Sequence, residues 1–159
     1  MSTKLITIED DIQNSNLSEE LKKKNIELCN FLKDNDFLIE PENDGNGWKI
    51  IYLKKCVGHM NYNNVGIWID TYDFGDSDAV NDTFQEYILS HVRNCEYFSS
   101  NGKQCGCGNQ PGFNITIFGN ILKNICFSHL EFINPDEIAL DNIKKLMILF
   151  KSNVSKNIL

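Results

Sequence analysis

The sequence predicts an α+β fold, a mainly antiparallel sheet of about five strands with helices packed on one side. Apolar residues recur with helical spacing in some segments and with a period of two in others, in the order α-βββ-α-ββ-α. The strands cluster instead of alternating with helices, which is typical of α+β proteins rather than of parallel α/β sheets. The length of 159 residues fits a single domain.

The first helix is predicted from Asn16 to about Lys33. Asn16 and Glu19 have the spacing of a capping box, and Cys29 falls with leucines on one apolar face. Residues 1–15 are polar and acidic. They are expected to form an N-terminal arm, either loose or containing a short edge strand.

A meander of three strands is predicted next. Trp48, Ile50 and Tyr52 recur with a period of two, which favours a strand. Residues 56–60 and 65–71 are predicted as the other two strands, joined by turns short enough for antiparallel pairing. An exposed edge over residues 65–71 could support a homodimer.

The second helix is predicted to have its N-cap among residues 76–78 and to continue through Val92, with His91 on its apolar face. Residues 94–112 are rich in Cys, Gly, Ser and Asn and show no hydrophobic period. They are therefore predicted to be a loop inserted after this helix.

Two strands over residues 113–118 and 125–133 precede a closing helix. Asn134 is the predicted N-cap and Pro135 the first helical residue, and the helix is expected to reach about residue 151. The single domain is thus expected to span residues 16–152. A C-terminal tail is expected over residues 153–159.

Composition and charge exclude several classes of protein. The net charge of −7 opposes binding to nucleic acid or anionic lipid, and the single arginine lowers the prospect of base-specific DNA recognition. No stretch approaches the roughly 20 apolar residues of a membrane span, and the start lacks the pattern of a signal peptide. Abundant Asn, Ile and Lys are typical of AT-rich bacterial genomes. We therefore expect a cytoplasmic bacterial protein with reduced thiols.

The candidate functional site is a cluster of four cysteines, Cys95, Cys105, Cys107 and Cys126, spaced C-x9-C-x-C-x18-C. Four thiolates suit a tetrahedral soft ion, usually zinc, and such sets are structural. A bound metal would stabilise a loop that has few apolar residues of its own. His91 precedes Cys95 by four residues, so the two could share a helix face, which makes His91 an alternative fourth ligand.

Two other interpretations of the cysteines stay open. In one, Cys105 or Cys107 is a reactive thiolate of a redox sensor or enzyme, with His91 nearby to lower its pKa. In the other, the cysteines bind no metal, and the chain is a protein-interaction module. Cys29 and Cys56 are expected to pack in the core, because free cysteines are commonly buried.

The remaining motifs carry weaker predictions. His129 and Glu131 share one face of a predicted strand and are expected as a solvent-side pair, because the P-C-x-x-C partner of zinc deaminases is missing. His59 is expected at the surface. Aromatic residues of the meander, such as Trp48 and Trp68, could line a ligand cleft.

Two stretches together carry a resemblance to known domains. Residues 47–52, Gly-Trp-Lys-Ile-Ile-Tyr, open a sheet after a helix, and residues 132–137, Phe-Ile-Asn-Pro-Asp-Glu, lead into the closing helix. Over residues 16–152 this arrangement resembles small bacterial domains of unknown function with the layout of YdhG-like and MmcQ-like α+β proteins. The resemblance implies a compact cytosolic domain with no assigned reaction, in which the 95–126 cysteine cluster is an insertion.

The sequence thus predicts a non-enzymatic α+β binding domain with a structural zinc site formed by four cysteines. Its partner would be a small molecule or a protein, bound through the face of the meander. Neither nucleic acid nor a membrane is expected as a partner.

Overall fold

Four helices and seven strands make up the part of the chain that the computed structural model describes, residues 7–42, 47–61, 64–67, 80–95 and 112–156. The helices are α1 (Ile8–Asn14), α2 (Glu19–Asp34), α3 (Asp82–Ser90) and α4 (Glu137–Lys156). The strands are β1 (Leu38–Pro41), β2 (Trp48–Tyr52), β3 (Lys55–Asn61), β4 (Asn64–Ile67), β5 (Val92–Asn94), β6 (Phe113–Ile117) and β7 (Asn120–Ile133).

The strands form one antiparallel sheet in the order β1-β2-β3-β4-β7-β5, and β6 also pairs with β7. The predicted α+β class is confirmed. The predicted five strands and the order α-βββ-α-ββ-α are corrected, because the described residues follow the order α-α-ββββ-α-βββ-α. The additional strands β1 and β5 have only four and three residues, too few to show a clear hydrophobic period.

Strand β4 lies inside the sheet. It pairs with β3 along one edge and with β7 along the other, with Gly66 opposite both His59 and Glu131. The predicted exposed edge over residues 65–71 is therefore wrong as far as Ile67, and its remainder lies outside the described residues. A homodimer formed by addition to that strand has no free edge to use there.

Helix α1 replaces the predicted loose arm or edge strand over residues 8–14. The Thr7 hydroxyl accepts a hydrogen bond from the Asp10 amide, at 3.2 Å, and so caps the helix. Ile8 and Ile12 are each 2% exposed, and the Trp48 Nε1–H donates to the Asp11 carboxylate at 3.0 Å. The N-terminal region is thus packed into the domain from Ile8 onward.

Three helix starts differ from the predicted ones. Helix α2 is capped by Ser18 rather than Asn16, and Asn81 caps α3, whereas the predicted cap at residues 76–78 lies outside the described residues. At α4, the Asp136 carboxylate accepts from the Ala139 amide at 2.8 Å, while Asn134 adopts a left-handed φ of 46°. Because several polar residues stand before each helix, the backbone geometry decides which of them becomes the cap.

One buried cluster receives side chains from all four helices and from the strands. The predicted alternation in β2 is confirmed, since Trp48, Ile50 and Tyr52 are buried and the residues between them are half-buried. The predicted inner face of the closing helix is also buried, namely Ala139, Ile143, Leu146, Met147 and Phe150. That helix continues to Lys156, so the tail predicted from residue 153 is helical over its first four residues. None of the described helices is long and apolar enough to cross a membrane.

Candidate metal centre

Cys95 lies where the chain leaves the sheet. Strand β5 ends at Asn94, which is opposite Ile125 of β7, and the Cys95 amide donates to the Asn124 carbonyl at 2.7 Å. The Cys95 side chain is 2% exposed. The backbone hydrogen bond and the burial together fix Cys95 against β7.

Gly112 lies where the chain returns to the sheet, just before β6. An ideal Cβ at this position would come within 2.7 Å of the Ile125 carbonyl oxygen and 3.0 Å of the Cys95 Cβ. Its φ of +94° is also one that side-chain-bearing residues rarely adopt. Cys95 and Gly112, the residues that flank the segment 96–111, therefore lie close together beside residues 124 and 125.

Cys126 follows Ile125 directly, in the stretch of β7 where the pairing with β5 shifts register between Ile125 and Leu130. Its side chain is half-buried. Cys95 and Cys126 are both free thiols; Cys95 directly follows β5, and Cys126 lies on its partner strand β7. We call these two residues the base cysteines.

The other two predicted ligands, Cys105 and Cys107, lie outside the described residues, as does most of the predicted loop 94–112. Within the described ranges, no group of three or more Cys, His, Asp or Glu side chains is arranged to hold a metal ion. A site with four cysteines would draw two thiolates from the base cysteines and two from the segment 96–111.

His91 does not lie on a helix beside Cys95, contrary to the prediction. Helix α3 ends at Ser90, His91 is its C-cap, and the chain then becomes strand β5, so the two residues do not share a helix face. Four residues of extended chain span about 13 Å. The His91 ring stacks on Phe132 with centroids 4.5 Å apart, and its Nδ1 lies 2.9 Å from the Tyr87 carbonyl oxygen.

His129 and Glu131 do not form the predicted solvent-side pair. His129 is only 7% exposed, with its ring edge-on to Phe113 at 5.7 Å. Glu131 instead pairs with Arg93 of β5, at 3.1 Å. The sequence did not predict this ion pair, because the partners are 38 residues apart and meet only through the pairing of β5 with β7.

His59 lies inside the sheet rather than at the surface. It stands on β3 between Lys49 of β2 and Gly66 of β4, and it is half-buried. Burial lowers the pKa of His59, although the nearby carboxylates of Glu42 and Glu131 act in the opposite direction. The neutral imidazole is therefore favoured at this position.

Of the two cysteines outside the cluster, Cys29 has the predicted core position, and Cys56 does not. Cys29 is fully buried, and burial raises the pKa of its thiol to about 12. Cys56 is half-buried, and its Sγ lies 3.4 Å from the Gly58 carbonyl oxygen. Burial raises the pKa of this thiol as well, so neither residue has the character of a reactive thiolate.

The meander aromatics that the structure describes belong to the core and not to a cleft. Trp48 is buried and bonded to Asp11, and Tyr52 packs against Phe37 and Phe150 with centroids 5.0 and 6.4 Å away. Trp68 lies outside the described residues. The prediction of a ligand cleft on the meander is therefore corrected for Trp48 and Tyr52.

No family model, curated protein or solved structure matches this chain. The resemblance to YdhG-like and MmcQ-like domains thus stays a prediction. The functional conclusion depends on the residues and geometry of the chain itself.

Proposed function

We propose that this chain is a small binding domain in which four cysteine thiolates hold a structural zinc ion and fix the segment 96–111 on the sheet. One observation carries the proposal: Cys95 and Gly112, which flank that segment, lie close together beside residues 124 and 125, directly before Cys126. Cys105 and Cys107 belong to the same segment. The set has the ligand number and type that zinc favours.

The length of chain allows the proposed ligand set. Cys107 precedes Gly112 by five residues, a span of at most about 18 Å when fully extended. A bend over that length brings the thiolate back to the base cysteines. Cys105 and Cys107 are separated only by Gly106, so one turn can direct both thiolates toward the same ion.

A structural role fits the base cysteines better than a catalytic one. A set of four cysteines leaves no open position on zinc, whereas catalytic zinc keeps one for water or substrate. Cys95 is also almost fully buried, unlike the accessible thiols of redox sensors. In this role the ion would stabilise the domain and take no part in a reaction.

Metal analysis tests the proposal on untagged protein purified under reducing conditions. We expect about one zinc ion per chain by mass spectrometry. A chelator should remove the zinc, expose four further thiols to titration and lower the melting temperature. The double variant Cys105→Ser/Cys107→Ser should lose the zinc.

Cys56→Ser is the matched control, because Cys56 is half-buried on a strand like Cys126 but lies outside the proposed site. It should keep the zinc. Zinc with only three protected thiols would contradict the four-cysteine set and return His91 as a ligand. Metal-free protein with freely reacting Cys105 and Cys107 would overturn the zinc site and favour a redox function.

A further inference from the structure

An apolar cavity of about 450 Å³ lies between helices α2, α3 and α4. Small-molecule sites are typically about 300–1,000 Å³ and are lined mainly by apolar groups with a few polar ones. The cavity is lined by Phe31, Val80, Asn81, Phe84, Lys144, Lys145, Ile148 and Leu149. Its volume and its mainly apolar lining fall within the range typical of small-molecule sites.

The apolar lining of the cavity includes one buried side chain and several that are partly or largely exposed. Phe84 is 6% exposed and packs edge-on against Phe118, with centroids 6.1 Å apart. Ile148 is 38% exposed on α4, and Phe31 and Leu149 are half-buried. A ligand placed here would cover apolar surface that now faces solvent.

Within the part of the chain that the structure describes, the charged residues lining the cavity are two lysines, Lys144 and Lys145, although the chain as a whole carries a net charge of −7. Lys144 is already compensated, because its Nζ lies 2.5 Å from the Glu27 carboxylate and 5.9 Å from the centre of the Phe31 ring. Lys145 is exposed, and over the described ranges it makes no hydrogen bond or ion pair. Among the described residues that line the cavity, Lys145 is therefore the one uncompensated cation.

We propose that this cavity binds a small amphipathic carboxylate. The apolar body of the ligand would lie between Phe31, Phe84 and Leu149, and its carboxylate would pair with the Lys145 ammonium. The cavity volume favours a small molecule over a protein segment, and the free lysine favours an anion over a neutral or cationic molecule. The inference depends on the binding role proposed above and not on the zinc ion.

Titration with decanoate tests the proposal, with the full chain as purified and backbone amide NMR as the measurement. We expect shift changes that saturate and are concentrated at residues 80–84 and 144–149. Decyltrimethylammonium has the same apolar chain with a cationic head and should bind more weakly. Decanol should bind with an affinity between the two.

Two pairs of variants locate the site. Lys145→Gln should weaken decanoate binding about threefold, as expected for one exposed ion pair, and should leave decanol binding unchanged. Lys123→Gln is its control, because Lys123 is an exposed lysine on β7 away from the cavity.

Ile148→Asp tests the apolar lining and should weaken decanoate binding at least about tenfold, through lost apolar contact and added charge repulsion. Ile121→Asp changes an isoleucine that is 73% exposed elsewhere and should have no effect.

Equal binding of decanoate and decyltrimethylammonium, or shift changes centred outside the cavity, would overturn the proposal. Equal effects of Ile148→Asp and Ile121→Asp would overturn it as well. The same protein sample is analysed for zinc, so failure of the metal site and failure of ligand binding are observed separately.

Discussion

At the scale of a single residue, Gly112 is constrained to be a glycine where the chain re-enters the sheet after the segment 96–111. Two constraints act there together: a φ of +94° and a backbone approach that leaves 2.7 Å between an added Cβ and the Ile125 carbonyl oxygen. Gly119 satisfies only the first constraint, with a φ of +74° and open space around it. Substitutions at these two glycines therefore distinguish the cost of backbone strain alone from the cost of strain combined with close packing.

Gly112→Ala is expected to lower the free energy of unfolding by about 2–4 kcal/mol, because the methyl group adds a collision to the strained φ. Gly119→Ala should cost only about 1 kcal/mol, from the left-handed backbone alone. Urea denaturation measures both. Equal losses would show that the close approach at Ile125 does not constrain Gly112.

Cys29 gives the stability of the protein an alkaline pH dependence. Burial raises the pKa of its thiol from 9.0 to about 12, so folding favours the neutral form. This contribution is fully present below pH 9.0 and is lost as the pH rises toward 12, because the unfolded thiol ionises first.

The expected loss from Cys29 is at most about 1.4 kcal/mol per pH unit above pH 9. The free energy of unfolding of the native chain and of Cys29→Ala is measured by urea denaturation between about pH 8 and about pH 11. The difference between the two proteins isolates the contribution of Cys29 from that of other titrating groups. The variant should show a shallower decline. Parallel declines would mean that the Cys29 thiol ionises equally in both states.

At the scale of elements, α1 is part of the domain because two isoleucines anchor it. Ile12→Ala should lower the free energy of unfolding by about 2–4 kcal/mol, since Ile12 is 2% exposed in the main cluster. Gln13→Ala changes the exposed neighbour on the same helix and should stay within about 0.5 kcal/mol. Chemical denaturation measures the free energy of unfolding of both variants. A loose arm would make the two variants equally harmless.

Where α3 ends and β5 begins, strand pairing with β7 overrides the helical spacing of the apolar residues. Apolar residues continue with helical spacing through Val92, yet the helix ends at Ser90 and Val92 pairs with Leu130. The Glu131 amide donates to the His91 carbonyl at 3.1 Å, so the carbonyl at the helix end is satisfied by the sheet. This change separates His91 from Cys95 along the chain.

At the scale of the whole molecule, β7 organises the sheet. Its 14 residues pair with β4, β5 and β6, three strands that are distant from one another in sequence. It joins the meander to the base of the segment 96–111, and it carries Cys126. The proposed zinc site would therefore tie that segment to the central strand of the fold.

Local patterns alone predicted much of the architecture. The alternation of Trp48, Ile50 and Tyr52 correctly predicted the buried face of β2. The helical spacing from Ala139 to Phe150 correctly predicted the buried face of α4. Each pattern is strong because every repeat contributes buried apolar area. The four-cysteine set was also visible in sequence, although only its two base cysteines fall in the described residues.

The sequence by itself determined the α+β class and the two strongest amphipathic elements, and it suggested the four cysteines of the proposed zinc site, because these depend on residue type and short-range spacing. Only the tertiary structure decided the interior position of β4, the end of α3 at Ser90 and the ion pair of Arg93 with Glu131. It also formed the cavity between α2, α3 and α4. Each of these requires contact between segments far apart in the chain, and short-range periodicity holds no information about which strands and helices become neighbours.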